Sequence, residues 1–313
     1  MHKHIVQSGE WQKIKTEYGT EAIRVGDIFY TKHAIPKTKY FFAYCPRVNP
    51  MLINFEKLKK SLKENSCIAL TFDVPNVFKG TDDEKKAVEL FSNSCKKSKR
   101  SEFAKANVIL DLSKSERELF EEMKKKHRYN IRYAAKNGVT VELGKDEEDF
   151  DTFFKLFKDT AFRQKFFLRP KKYYQLIWNT LHPKEMCHIL TAYYKGEPLA
   201  SWMVFIYENV LYYPYGGSSL AHRNVFASNA LGWEAIRLGK RYDCTLFDMW
   251  GAAEDPEDLS DSYHGFTNFK IKFGGEHVQY IDSYDLIINR PMYLLFTFTN
   301  ELRWKLLEMG LIK

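Results

Sequence analysis

The sequence predicts an α/β protein built from two similar units, and three observations carry that expectation. Short continuous apolar runs, such as Cys67 to Phe72 (CIALTF) and Thr245 to Met249, have the length and make-up of strands covered on both faces. These runs alternate with amphipathic segments of helical period, as βα units do. Residues 24–73 and 194–248 also share one order: strand, glycine turn, strand, turn, aromatic strand, helix, then an apolar strand ending in Phe-Asp, at Phe72-Asp73 and Phe247-Asp248. The identities are few, but the shared order points to duplication, with a cleft between the units.

In chain order, Gln7 to Tyr18 opens as a capped helix, with Ser8 as N-cap and Trp11 and Ile14 on one face. Residues 22–45 read as strands separated by turns at Gly26-Asp27 and Pro36-Lys37. Pro50 to Leu62 reads as an amphipathic helix, Cys67 to Phe72 as a strand ending at Asp73, and Asp82 to Cys95 as a helix before the basic run Lys96 to Arg100. Val108 to Leu112 is a strand. Ser113 and Glu116 have the spacing of a capping box for a helix that carries Lys124, Lys125, Lys126, Arg128, Arg132 and Lys136 and stops at Asn137-Gly138. Lys125, Arg128, Arg132 and Lys136 fall on one face, which reads either as a solvated helix face or as a track for phosphates.

Val139 to Leu143 is a strand, and Asp149 to Arg163 is a helix with Phe150, Phe153, Phe154 and Phe157 inward. Arg169 precedes a proline and so lies in extended backbone, with Tyr173 about one helical turn on, so both can face one pocket. Cys187 to Gly217 reads as a meander whose last strand places Leu211, Tyr213 and Tyr215 on one face. Ala221 to Tyr242 is a long helix with the small apolar face Ala227, Leu231, Ala235 and Leu238. His277 to Ser283 is a strand. Arg290-Pro291 starts a last amphipathic helix through Leu294, Leu295, Leu302, Trp304 and Leu306.

The bulk composition narrows the function classes. The chain has 313 residues, is 44% hydrophobic and 16% aromatic, and can fill about two ordinary cores, so it is not a disordered chain. Its net charge of +8 suits an anionic partner: nucleic acid, a phosphorylated metabolite or an acidic membrane surface. The five cysteines are scattered, with no pair at metal-ligand spacing, so no metal site and a reduced cytoplasmic protein are expected. The N-terminus has no apolar signal-like region and no apolar run is long enough to span a bilayer, so any membrane contact is expected to be peripheral, at the cytoplasmic face.

The chain is organised around Trp250 to Glu276. After a buried strand and an acidic, turn-rich loop comes Phe269-Lys270-Ile271-Lys272-Phe273, closed by Gly274-Gly275. A lysine among aromatics at a strand edge can hold a charge in a partly dry place and meet a developing negative charge. The same residues also suit a short surface helix with a glycine C-cap, which spacing alone favours.

The ordered set of motifs resembles the Fem family of peptidoglycan bridge peptidyltransferases over nearly the whole chain. It comprises Gln7-Ser8, Trp11, Lys15, Leu70-Thr71-Phe72-Asp73, Ile109-Leu110-Asp111-Leu112-Ser113, the basic helix ending Asn137-Gly138-Val139, Arg169-Pro170 with Tyr173-Tyr174, Tyr213 to Ser218, Asp248 with Trp250-Gly251, and Phe269-Lys270 with Phe273-Gly274-Gly275. The resemblance implies two GNAT-like domains in tandem, 1–105 with 283–313 and 106–282, and the compact FemX type, since the long charged helical arm of other members is missing. It implies transfer of an amino acid from aminoacyl-tRNA, as co-substrate, to an amine of lipid II or UDP-MurNAc-pentapeptide, with no other cofactor. It also implies roles. Lys15, Arg169, Tyr173 and Tyr215 match positions that hold the acceptor diphosphate. Lys270, with Phe269 beside it, matches the lysine that stabilises the oxyanion, and Asp73 matches an aspartate near the acceptor amine. Lys125, Arg128, Arg132 and Lys136 are the candidates for tRNA phosphates.

Two other classes compete. An acyl-CoA N-acyltransferase needs a glycine-bearing phosphate loop, and His222 to Ala227 stands there without glycine. A non-catalytic RNA-binding protein is permitted by the basic helix, but no RNA-recognition motif appears. A lipid aminoacyltransferase would use the same donor and usually carries spanning helices. The transferred amino acid, the accepting stem-peptide residue and the oligomeric state are not legible.

Overall fold

A computed structural model describes residues 2–309. Met1 and residues 310–313, the latter part of the expected first domain, lie outside the described residues, as do the side chains of Trp304 and Glu308. The chain begins with α1 (Gly9–Glu17), β1 (Ala22–Val25), β2 (Ile28–Ala34), β3 (Phe41–Pro46), α2 (Phe55–Glu64), β4 (Cys67–Asp73), α3 (Asp82–Ser92) and β5 (Lys96–Lys97). It continues with β6 (Ala106–Asp111), α4 (Glu116–Glu122), α5 (Lys125–Lys136), β7 (Val139–Leu143), α6 (Glu147–Gln164), α7 (Lys171–Leu181), β8 (Cys187–Tyr194), β9 (Glu197–Tyr207) and β10 (Val210–Ser218). It closes with α8 (Ala227–Arg241), β11 (Leu246–Ala252), α9 (His264–Ile271), β12 (Glu276–Gln279), β13 (Tyr284–Ile287) and α10 (Arg290–Glu308). The contacts divide it into two units: residues up to Phe103 together with those from Tyr280 on, and Ala104–Gln279.

The first unit is a sheet of order β1-β2-β3-β4-β13-β5 in which only β3 and β4 run parallel. The crossover between them is α2, whose Leu58 and Leu62 are fully buried. α2 starts at Phe55 rather than at Pro50 because the Asn54 side chain accepts from the Lys57 N–H, while Asn49 caps a separate turn at Pro50–Leu52. Phe55, Phe72, Phe91 and Tyr284 form a ring ladder under this face, with successive centroids 6.1, 5.1 and 4.7 Å apart. On the other face α10 packs Tyr293 and Phe296, the latter stacked on Phe42 at 4.9 Å. Leu294, Leu295 and Leu302 were expected along the apolar side of this helix. They are exposed, because α10 is apolar on two sides and only the Met292-Tyr293-Phe296 side meets the sheet.

The second unit is a sheet of order β12-β6-β11-β10-β9-β8-β7, again with one parallel pair, β10 and β11, joined through α8. The hairpin, helix and parallel strand of β9-β10-α8-β11 thus repeat those of β2-β3-α2-β4. α8 buries Ala227, Leu231, Ala235 and Leu238 as its pattern predicts. Its Gly232 lets the Phe273 ring sit directly on the helix: a Cβ there would lie 2.4 Å from Phe273 Cζ. α6 covers the opposite face with Phe150, Phe153 and Phe157.

Three local expectations change. The capping box is Ser115 with Glu118, because Ser113 already donates its hydroxyl to Asp111 at 2.6 Å. The basic helix is two helices: Met123 and Lys124 are extended, Met123 is buried, and the Lys124 N–H donates to Lys272 O at 3.0 Å. α8 begins at Ala227 and not at Ala221, since His222 and Phe226 take left-handed backbone around a short turn.

Candidate active site

β10 and β11 pair only at Val210↔Leu246, Leu211↔Phe247 and Tyr212↔Asp248. Beyond that both strands bulge, β10 between Tyr212 and Tyr215 and β11 between Asp248 and Gly251, where Trp250 has φ +63°. The bulge leaves the carbonyls of Trp250 and Gly251 outside the β10 ladder. Lys270 Nζ takes them, donating to Gly251 O at 2.6 Å and to Trp250 O at 3.3 Å.

Lys270 sits in the last turn of α9, and the chain turns away three residues beyond its end at Gly274, with φ +92° and its N–H donating to Ile271 O at 2.9 Å. The short glycine-capped helix is therefore what forms, but its lysine is only 7% exposed. Burial lowers the Lys270 pKa to about 8, opposed by the nearby Asp248 carboxylate. An ammonium has three donors, and the two carbonyls engage two of them. The Tyr213 ring lies 6.0 Å from the ammonium and stacks on Trp202 at 3.7 Å. Burial holds the Tyr213 hydroxyl protonated by raising its pKa.

Phe269 packs edge-on against Phe273 at 5.2 Å and against Trp202 at 6.4 Å, which fixes the turn that carries Lys270. Three residues support the site: Asp248, which the sequence marks only as part of a motif, and His127 and Thr267, which escape the sequence reading. Asp248 Oδ1 accepts from Asn107 Nδ2 and from the Trp250 N–H, each at 2.7 Å, and so holds the bulge. His127 sits edge-on to Phe273 at 4.8 Å, and burial, aided by Lys272, lowers its pKa to about 4, so it is a neutral packing ring. Thr267 ties α9 to the end of β11 by accepting from the Ala253 N–H at 2.8 Å.

A second cluster gathers Arg169, Tyr173 and Tyr215. The Arg169 guanidinium lies 5.0 Å over the Tyr173 ring, and Tyr174 bridges to Tyr215 at 5.1 Å. The Arg169 backbone N–H donates to the Tyr174 hydroxyl at 3.3 Å. Burial raises the Tyr215 pKa, so it stays a donor. Leu211, Tyr213 and Tyr215 do not share a face. The bulge pairs Tyr215 with Met203 and turns it onto Phe157 and Phe205, while Leu211 and Tyr213 stay with the α8 side. Pro214, inside the strand, is the sequence signal for that bulge.

The other candidates belong to other elements. Lys15, on α1 of the first unit, reaches over Trp11 at 6.0 Å. Asp73, also in the first unit, is fully buried. Its carboxylate accepts from Tyr44 at 2.6 Å, from the Glu102 and Phe103 N–H groups at 3.0 and 2.8 Å, and from Ser283 at 2.8 Å. Those four donors occupy both oxygens. On α5 the expected four-residue track is interrupted. Arg128 turns back to the Glu121 and Met123 carbonyls at the end of α4, Arg132 leans on Phe120 at 5.0 Å, and Lys125 and Lys136 point to solvent.

One polar feature was not anticipated. An open pocket of about 200 Å³ lies at the N-terminus of α8, lined by Ser218, Ser219, His222, Arg223, Ser228 and Asn229. The buried Asn229 amide nitrogen has no hydrogen-bond partner there. The left-handed backbone that glycines would supply in such a loop is adopted by His222 and Phe226, which composition cannot reveal.

Residues 121–258 match the acetyltransferase (GNAT) domain family. The chain is similar to lipid II:glycine glycyltransferases: 24% identical to that of Staphylococcus epidermidis over 87% of this chain and 82% of the relative, and 23% to that of Staphylococcus aureus over 83% and 80%. Among solved structures it resembles FemX, with a TM-score of 0.82 at 20% identity, covering 93% of this chain and 94% of that one. L-PGS from Bacillus licheniformis is more distant, with a TM-score of 0.57 at 14% identity over 93% and 96%. The fold is a tandem of GNAT-like units.

Proposed function

We propose, from the premise that the chain is a FemABX-type aminoacyltransferase, that it adds an amino acid to an amine of the peptidoglycan precursor, with aminoacyl-tRNA as donor. The observation that carries this is Lys270: a buried ammonium at a strand opening, with two donors engaged by Trp250 O and Gly251 O and one left over. Lipid II and glycine are the acceptor and amino acid to test first, because relatives similar over most of the chain are named lipid II:glycine glycyltransferases.

In this reading the acceptor amine attacks the ester carbonyl of the aminoacyl group. A C–N bond forms and the carbonyl electrons move onto oxygen, where the free Lys270 N–H meets the charge. The oxyanion then collapses and the C–O bond to the ribose breaks. The ribose oxygen leaves as a hydroxyl, taking up one proton in place of the one the amine gives up. The ester is already activated, so positioning and charge stabilisation suffice. Arg169, Tyr173 and Tyr215 supply a cation and phenol donors suited to a diphosphate. Asp73 serves this scheme by holding the backbone of the first unit, since its carboxylate is occupied. Lys125, Arg132 and Lys136 remain the candidates for RNA phosphates.

The test is mass spectrometry of lipid II and of UDP-MurNAc-pentapeptide after incubation with glycyl-tRNA and with a pool of other charged tRNAs. The expected result is one aminoacyl mass that requires tRNA and disappears in Lys270→Met. No gain on either acceptor would overturn the reading. A second reading, N-acylation from another phosphate-bearing donor, is favoured by the polar pocket before α8. Acylation from a coenzyme A thioester without tRNA would select it.

A further inference from the structure

We propose that α10 and the adjoining basic run form a docking face for an anionic lipid bilayer. Both features belong to the first unit. The side of α10 away from the sheet carries Leu294, Phe298 and Leu302 at four-residue spacing, with Leu295 beside them, and these are 49–66% exposed. Three residues of that spacing make an apolar stripe about 12 Å long on a helix that is otherwise docked by its opposite side. Surface leucines scattered singly mean little, but a continuous stripe on a helix marks a contact.

Two further observations say what covers it. The threonines of this stretch do not need water for their hydroxyls: Thr297 donates to Tyr293 O and Thr299 to Leu295 O, at 2.9 and 3.0 Å. Satisfied internally, they lower the cost of leaving water. The face is also rimmed by cations. Lys99 bonds Glu301 of α10 at 2.6 Å, which fixes the run Lys96 to Arg100 beside the helix, and Lys305 lies on the helix itself. Glu301 and Asp282 are paired with Lys99 and Lys97, each at 2.6 Å, so the positive charge of the rim is that of Lys96 and Arg100 with Lys305 on the helix. An apolar stripe with a cationic rim is the pattern of a helix lying in an anionic interface. A second copy fits less well, since a two-fold contact would set the same basic rim against itself.

The measurement is co-sedimentation of the full chain with vesicles of phosphatidylethanolamine and phosphatidylglycerol, against vesicles of phosphatidylcholine. It uses neither donor nor acceptor, so its failure leaves the transfer reaction untouched and failed transfer leaves it untouched. Binding to the anionic vesicles should exceed binding to the zwitterionic ones by about tenfold, from the few lysines near the surface. The double variant Phe298→Ser, Leu302→Ser should bind at least about tenfold more weakly with an unchanged Tm, since both side chains are exposed. Lys96→Glu with Lys305→Glu should abolish the preference for anionic lipid. Wild-type binding no stronger than to phosphatidylcholine, or full binding by Phe298→Ser, Leu302→Ser, would overturn the proposal. So would a concentration-dependent dimer that the same variant disrupts, with no lipid binding, which would make the stripe a self-contact.

Discussion

Asp73 and Asp248 follow a phenylalanine at corresponding places in β4 and β11, yet they do opposite things, and Asp73 ends its strand while β11 runs on to Ala252. In the first unit β3 and β4 stay paired to the last register, Pro46↔Asp73, and four donors close around the carboxylate. In the second unit pairing stops at Tyr212↔Asp248, and Asp248 supports a left-handed Trp250 instead of a seal. One copy of the fold is shut and bears structure. The other is held open and presents carbonyls to a buried lysine. The lesson is that the opening is made by two bulges and one strained residue, with the topology unchanged. Such strain is kept where the surroundings impose it, at a cost of about 1–3 kcal/mol per residue.

The strongest way to break this contrast is Lys270→Met. The transfer rate should fall about 100- to 1000-fold, as on loss of an oxyanion donor, measured under single-turnover conditions. Stability should move the other way. The folded Lys270 pKa, about 8, lies below its unfolded value of 10.5, so its contribution to stability is present above 10.5 and lost as pH falls through 8. At pH 7 the buried charge is a burden, and Lys270→Met should raise stability by on the order of 1–3 kcal/mol in chemical denaturation. A loss of both rate and stability would mean the lysine is structural.

Asp73→Ala tests the sealed copy. It strands several buried donors and should cost about 3 kcal/mol or more of stability, read as a fall in denaturation midpoint, with kcat per folded molecule changed only a few-fold. A loss of more than 100-fold in kcat at unchanged midpoint would instead put Asp73 in the chemistry. Arg169→Ala should be smaller, raising KM for the diphosphate-bearing acceptor roughly tenfold with kcat kept. The smallest effect sharpens the open copy. Asp248→Asn can still accept from Trp250 and Asn107 but removes the charge that props up the Lys270 pKa. The basic limb of the rate profile, expected near pH 8, should then shift to lower pH.

Much of this was legible in the residues, for identifiable reasons. Apolar runs and the Ser8 cap are local signals, and β4, α1 and the buried face of α8 follow from them. Arg169 and Tyr173 meet because a proline and a helical turn set their spacing. What was not legible depended on competition or on distant contacts. Ser113 and Ser115 both begin a Ser-x-x-Glu pattern, and only the Asp111 side chain decides between them. The break at Met123-Lys124 has no glycine or proline; it is drawn out by a buried methionine and by Lys272 O. Left-handed Trp250, His222 and Phe226 are imposed by their surroundings, so the bulge and the pocket stayed hidden. The face that α10 turns outward is equally apolar in sequence to the one it buries.

The placement of β13 has a consequence for synthesis. It lies between β4 and β5, in the interior of the first sheet, although the whole second unit is translated before it. At synthesis rates of about 5–20 residues per second, β4 emerges and then waits roughly ten to forty seconds for its partner. During that interval a run as apolar as Cys67–Asp73 presents an unsatisfied edge, while Ala104–Gln279, contiguous in the chain, can fold at once. The first unit to be made is thus the last to be finished, since β4 gains its second neighbour only when Tyr284–Ile287 arrives.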